Sequence, residues 1–419
     1  MTIADMVSKL TVDSPPLRFE AYDGSGFGPA SPITMRLKTE RGLRFLATAP
    51  GDLGMVRAYV SGDLDLEGTH PGDPYDALRL LGQWRFRPPT PKEFAALVRE
   101  LGWRRIVPPE PPRQEALPRW RRIAEGLRHS RDRDAESIGH HYDVSNSFYE
   151  KVLGPSMAYT CAVFPKPDAS LEEAQEEKFD LVARKLALHP GMRLLDIGCG
   201  WGGMVRHAAA HYGVTALGIT LSAAQADWAA AAVAADGLSD RVKITHGDYR
   251  DAPGTGYDAV SSIGLLEHVG VQNYPAYFAF IGDKLRDGGR LLNHCITRPS
   301  NSERETGAFI DRYVFPDGEL TGSGRIITAA QDAGLEVRHE ENLREHYALT
   351  LTAWCSNLVR NWEACVADVG EPTARVWGLY MAGSRRGFEI NEVQLHQVLA
   401  VKVSPHGDAS FPLRPTWLS

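Results

Sequence analysis

The 419-residue chain has only five cysteines, Cys161, Cys199, Cys295, Cys355 and Cys365, and no C-x-x-C pair among them. An odd count without metal spacing argues against a disulfide scaffold and for free thiols in a reducing compartment. His141, Glu267, His268 and His294 do not form H-E-x-x-H, so no metal is expected. No apolar run reaches ~18 residues, so no membrane span is expected. No charged-then-apolar leader opens the chain, because Asp5 interrupts it. Positive charge is not in excess either. The net charge of -7 and pI of about 6.1 argue against general nucleic-acid binding. What remains is an ordinary globular composition, 43% hydrophobic and 24% charged, in a chain long enough for two or three domains.

What is present centres on residues 192–203. Met192, Leu194, Leu195 and Ile197 form a short apolar run, the mark of a buried parallel strand. Gly198, Gly200, Gly202 and Gly203 follow at turn density, and Met204 to Tyr212 reads as a helix. Strand, glycine turn and helix open a doubly wound nucleotide-binding fold, in which glycines let backbone approach a ligand. Gly198, Gly200 and Gly203 fit G-x-G-x-x-G, so a dinucleotide is one reading. That reading wants an acid about 20 residues on. The second strand, Thr215 to Thr220, ends without one, and the acid is Asp196, two residues before the first glycine. Asp-x-Gly-x-Gly resembles the first motif of class I S-adenosylmethionine (SAM) methyltransferases.

Residues 1–102 read as a smaller α+β N-terminal domain with an interface role. Ile33 to Thr39 and Leu43 to Thr48 alternate around Glu40-Arg41-Gly42, which predicts a hairpin, and Gly51 to Val60 has helical spacing. Residues 103–136 read as a basic linker in which Pro108, Pro111 and Pro112 forbid a continuous helix. There Trp103, Arg104, Arg105, Arg119, Trp120, Arg121, Arg122, Arg128, Arg131 and Arg133 suit an anionic membrane surface. Acids such as Glu110, Glu115 and Glu125 dilute them, so a solvated charge run is the competing reading. Residues 137–419 read as the catalytic domain. Its opening stretch, 137–164, is either a lid over the cofactor or a packed extension. Helices and strands then alternate: a helix over Leu171 to Leu188, strands at Val242 to Asp248, Tyr257 to Gly264 and Arg290 to Thr297, and two more at Leu335 to Asn342 and Gln394 to Val403. With the first two strands this predicts an α/β, Rossmann-like, mostly parallel seven-stranded sheet. Residues 346–386 read as a late helical insertion on the substrate side.

Ligands of such sheets lie at the carboxyl ends of the strands. Those ends carry Thr220-Leu221-Ser222-Ala223-Ala224-Gln225, Gly247-Asp248-Tyr249, Leu265-Leu266-Glu267-His268-Val269-Gly270 and His294-Cys295-Ile296. His-Tyr-Asp-Val-Ser-Asn at 141–146, Tyr-Thr-Cys at 159–161, Leu-Asp-Ile-Gly-Cys-Gly-Trp-Gly at 195–202, Thr-Leu-Ser-x-x-Gln at 220–225, Asp-Tyr-Arg-Asp at 248–251, Glu-His-Val-Gly at 267–270 and Tyr-Val-Phe-Pro-Asp-Gly at 313–318 occur in series. The series resembles the cyclopropane-fatty-acid synthase family, which includes the mycolic-acid methyltransferases, over about residues 137–400. Pro16 to Ser25, Leu46 to Gly54 and Tyr59 to Leu64 look like one actinobacterial branch. That branch is similar to enzymes that place a 10-methylene group on oleoyl chains ahead of a flavoprotein reductase, on the way to 10-methylstearate.

The resemblance implies SAM-dependent methyl transfer to the cis double bond of an unsaturated phospholipid acyl chain, with bicarbonate as the base. It puts bicarbonate on Cys161, Glu267, His294, Ile296 and Tyr347. It puts SAM on Tyr159, Thr160, Asp196, Gly198, Gly200, Gly202, Thr220, Ser222, Gln225, Asp248 and Tyr249. The family usually has Ser where Thr160 stands. Each residue keeps a plainer reading: Cys161 as a small buried apolar group, Glu267 as a helix-start acid, His294 as a satisfied strand-end histidine. A methylene and a cyclopropane product both stay open, because the same pocket serves either. The expected setting is the cytoplasmic face of the membrane, with phospholipid and a flavoprotein reductase as partners; association with a second copy of the chain stays open.

Overall fold

The computed structural model describes the chain except for residues 50–51, 103–106, 117–144, 303, 306, 317, 416 and 418–419. Most of the arginine and tryptophan stretch, from Trp103 to Arg133, and His141 lie outside the described residues. The chain divides into two compact units. One holds Met1–Pro118, Gly307–Pro316 and Trp354–Arg386; the other holds Arg119–Thr306, Asp317–Ala353 and Gly387–Ser419. The late helical stretch is therefore divided, with Trp354–Arg386 grouped with the N-terminal residues.

In the first unit a four-stranded sheet runs in the order Gly26–Phe27, Arg18–Ala21, Thr34–Leu37, Leu64–Glu67. Alternate residues of its strands point into the core: Phe19 and Ala21, Met35 and Leu37, Leu64 and Leu66 are buried. The hairpin expected around Glu40 is not there. Thr34–Leu37 is a strand, but Glu40–Thr48 is a helix. Thr39 decides it: its hydroxyl accepts the Gly42 N–H, capping the helix, and Glu40 favours the positive first turn. Alternation over six residues was too short to outweigh that cap. Elsewhere in the unit, Glu115 is fully buried between Arg57, whose Nε and Nη2 donate to it at 2.7 Å each, and Arg312. The Tyr313 hydroxyl donates to the same carboxylate at 3.1 Å. This carboxylate pins Gly307–Pro316 to the rest of the unit.

The second unit is built on a seven-stranded sheet. Its strands are β1 (Arg193–Ile197), β2 (Thr215–Thr220), β3 (Val242–His246), β4 (Tyr257–Ile263), β5 (Leu285–Thr297), β6 (Leu335–Asn342) and β7 (Gln394–Lys402). Their order across the sheet is β6-β7-β5-β4-β1-β2-β3. The four pairings from β5 to β3 are parallel, and β7 is antiparallel to both β5 and β6. Helices cover both faces, so the central strands are largely apolar; Leu194, Leu195, Ile197, Ala259 and Val260 are buried. The order reverses between β1 and β4, and a crevice at such a switch point is where an open α/β sheet binds ligands. This is the mostly parallel α/β sheet expected, in the class I SAM-methyltransferase arrangement.

Candidate active site

The turn after β1 sets the floor of the crevice. Gly198 has φ +77°, and a Cβ added there would stand 3.1 Å from Leu265 Cβ. Gly203 opens the helix Gly203–Tyr212, and its missing Cβ makes room for the Phe179 ring, which a Cβ would meet at 2.6 Å. Glycine at these points lets the backbone turn upward while the helix closes on its neighbour. The resulting cleft encloses about 900 Å³, its open mouth included.

Tyr159, Thr160, Asp196, Gly198, Gly200, Thr220, Gln225 and Tyr249 all line it. Three residues expected to bind the cofactor, Gly202, Ser222 and Asp248, are not among its lining residues. Gly202 packs toward Ala229, Ser222 caps the helix Ala223–Ala235 through Gln225 N–H at 3.3 Å, and Asp248 is paired with Arg250. Within the cleft, Thr220 Oγ1 donates to Gln225 Oε1 at 2.7 Å, which fixes the Gln225 amide. Asp196 is buried and takes one bond, from Ser261 Oγ at 2.6 Å; burial pushes its pKa up to about 6. The stretch before the cleft folds onto the glycine turn: Trp201 Nε1 donates to Asn146 Oδ1 at 2.9 Å, and Tyr149 packs on Trp201.

Lys178 was not legible as a site residue. It sits on the helix Leu171–Leu186, lines the cleft, and is 1% exposed. Its Nζ donates to Thr160 Oγ1 at 3.0 Å. Burial pushes its pKa down to about 7, with Cys161 and Asp196 acting against that. The signal was its place on the apolar stripe of that helix, between Ala174 and Leu181, where a lysine is buried rather than solvated.

Of the remaining candidates, Glu267 follows β4, His294 and Ile296 lie near the end of β5, Cys161 precedes the helix Leu171–Leu186, and Tyr347 is on the helix Arg344–Arg360. Glu267 Oε1 accepts the Ile296 N–H at 2.7 Å, and Gly264 N–H donates to the His294 carbonyl at 2.8 Å. Cys161 Sγ lies 3.8 Å from the Leu343 carbonyl, which also accepts the Tyr347 N–H at 3.2 Å. Leu343 N–H in turn donates to Leu395, the register partner of Ile296. None of these five candidates is among the residues that line the cleft. Burial pushes the Glu267 pKa up to about 7, pushes the Cys161 thiol up, and holds the His294 ring neutral, well below its usual range. Glu267 Oε2 and His294 Nε2 are both buried without a hydrogen-bond partner among the described residues. Such atoms are costly unless something polar meets them.

The family model for mycolic acid cyclopropane synthetases matches residues 129–398. A probable fatty acid methyltransferase of Mycobacterium tuberculosis is 62% identical over 405 residues, 96% of this chain and 95% of that protein. The tuberculostearic acid methyltransferase of the same organism is 32% identical over 418 residues, 96% of this chain and 92% of the other. Among solved structures, a mycolic acid cyclopropane synthase bound to SAH and CTAB superposes with a TM-score of 0.60 at 30% identity, covering 64% of this chain and 97% of that one. The chain therefore belongs to the mycolic acid cyclopropane synthetase family, SAM-dependent methyltransferases that act on fatty acids and lipids.

Proposed function

We propose that the protein transfers a methyl group from SAM to the cis double bond of an oleoyl chain in a phospholipid, leaving a 10-methylene group, with bicarbonate as the base. The two orphaned atoms, Glu267 Oε2 and His294 Nε2, carry this reading, because a buried polar atom left without a partner among the described residues suits a small polar ligand such as an oxyanion. Full-length likeness to the tuberculostearic acid methyltransferase, N-terminal residues included, favours the methylene outcome. A cyclopropane ring is the second reading, favoured by the family model and by the solved cyclopropane synthase over the catalytic domain.

SAM, when bound, supplies an electrophilic methyl carbon. Lys178, aimed into the cleft beside Thr160, offers the methionine carboxylate a cation, and Gln225 offers the ribose an amide. Gly198 and Gly200 give its backbone room. An alkene is a feeble nucleophile, so the chain must hold it in line and dry. Bicarbonate would accept the proton that leaves the methylated chain. A neutral His294 and a Glu267 carboxyl that keeps its proton near neutrality can each donate to such an anion. Cys161, Ile296 and Tyr347 complete the wall.

No helix among the described residues is long and apolar enough to cross a membrane. In this reading the substrate is met from the side, by peripheral association on the cytoplasmic face, and a flavoprotein reductase would reduce the methylene product. Incubation with methyl-labelled SAM and oleoyl-phospholipid vesicles tests the reading. Label in the acyl chain supports it; bound SAM with no label in lipid counts against it.

A further inference from the structure

We propose that Lys185 and Gln397 are positioning residues that hold His294 as the Nε2–H tautomer, so that the ring presents a hydrogen-bond donor at its orphaned nitrogen. The inference rests on the reading of His294 as a group that meets the base.

Lys185 is the penultimate residue of the helix Leu171–Leu186, with its side chain wholly buried. Its ammonium pairs with Glu341 on β6 and donates to Gln397 Oε1 on β7 at 2.7 Å. A lysine ammonium has donors only. The Gln397 amide must therefore turn its oxygen to Lys185 and its NH₂ the other way. On that other side stands His294 Nδ1, 3.2 Å from Gln397 Nε2. An amide NH₂ cannot accept, so Nδ1 must, and a neutral imidazole that accepts at Nδ1 carries its proton on Nε2. β7 and β5 fix the spacing, since Gln397 and His294 are register partners across the antiparallel pair.

The chain of bonds runs from Glu341, 38% exposed, through two fully buried polar groups to the His294 ring, whose Nε2 has no hydrogen-bond partner among the described residues. Buried polar groups persist when each satisfies the next, and here every member but the last is satisfied. Burial beside Lys178 and Lys185 opposes a second proton on the ring. With only one proton to place, the direction of the Gln397 amide decides whether the site receives a donor or a lone pair.

The test is ¹⁵N NMR of full-length protein labelled in histidine, with the His294 signals assigned by their loss in His294→Asn. The expected spectrum has Nε2 protonated and Nδ1 bare. The reverse pattern in the wild type would overturn the proposal. Gln397→Glu replaces the amide by a carboxylate of the same shape that only accepts, so a proton should move to Nδ1; an unchanged His294 spectrum would also overturn it. Lys185→Met frees the amide to flip, and the tautomer should become mixed. Half-maximal turnover should need about tenfold more bicarbonate in Gln397→Glu, the worth of one hydrogen bond, and about twofold more in Lys185→Met, where about half the rings keep the donor, with SAM affinity unchanged in both. Bicarbonate dependence of the wild type judges the base reading separately: turnover indifferent to bicarbonate would end that reading, while the ring's spectrum would still decide the roles of Lys185 and Gln397.

Discussion

Glu267 accepts the Ile296 backbone N–H at 2.7 Å through Oε1, while Oε2, equally buried, has no partner among the described residues. One oxygen anchors the carboxyl to the end of β5, and the proposed function gives the other to the base. Glu267→Gln keeps the shape and the anchor. It should leave SAM affinity within about twofold and lower turnover by at least ~100-fold. Turnover near wild type would exclude Glu267 from the base site.

The same carboxyl makes a pH prediction for the ligand-free protein. Its pKa rises from 4.5 to about 7 on folding, because burial disfavours the charge. Between those values the folded state binds more protons than the unfolded, so this group's contribution is intact below pH 4.5 and is lost as pH rises to about 7. Glu267→Gln removes the effect. Relative to wild type, the variant should gain stability across that window, by up to ~3 kcal/mol. Urea denaturation at a series of pH values reads the difference; a constant offset would contradict it.

Lys178 gives a prediction for cofactor binding. Its Nζ donates to Thr160 Oγ1 at 3.0 Å, inside the cleft. Loss of a buried ammonium that meets a carboxylate should weaken SAM binding by roughly tenfold or more in Lys178→Met. Calorimetry checks this. Because its pKa lies at about 7, wild-type affinity should fall as pH rises through neutrality, and Asp196, at about 6, adds its own slope on the acid side. In Lys178→Met the slope above neutrality should vanish.

In the first unit, Glu115 joins Arg57, Arg312 and Tyr313 with no side-chain exposure of its own. Removing one member of a buried ion cluster strands the others. Glu115→Ala should cost about 3–5 kcal/mol, read as a lower melting temperature, with SAM affinity measured below that temperature unchanged. A loss below ~1 kcal/mol would show the cluster to be solvated.

The local parts of the fold could be read from the sequence, because short-range pattern encodes them. The run Met192 to Ile197 and the glycines after it announced β1 and its turn. Leu43 to Thr48 was misread because one capping hydroxyl, on Thr39, outweighs a brief alternation. Lys178, Lys185 and Gln397 are hidden in the sequence for a different reason. Their partners, Thr160, Glu341 and His294, are 18, 156 and 103 residues away, so nothing local shows what they meet. The grouping of Trp354–Arg386 with the N-terminal residues is likewise a long-range result, seen in Arg375 donating to Asp65 at 2.7 Å.

Acyl-chain NMR after reaction of the wild type with SAM, bicarbonate and oleoyl phospholipid is the most direct measurement. An exocyclic methylene at carbon 10 is the expected product. An unaltered oleoyl chain, recovered from enzyme that still binds SAM, would contradict the proposed reaction.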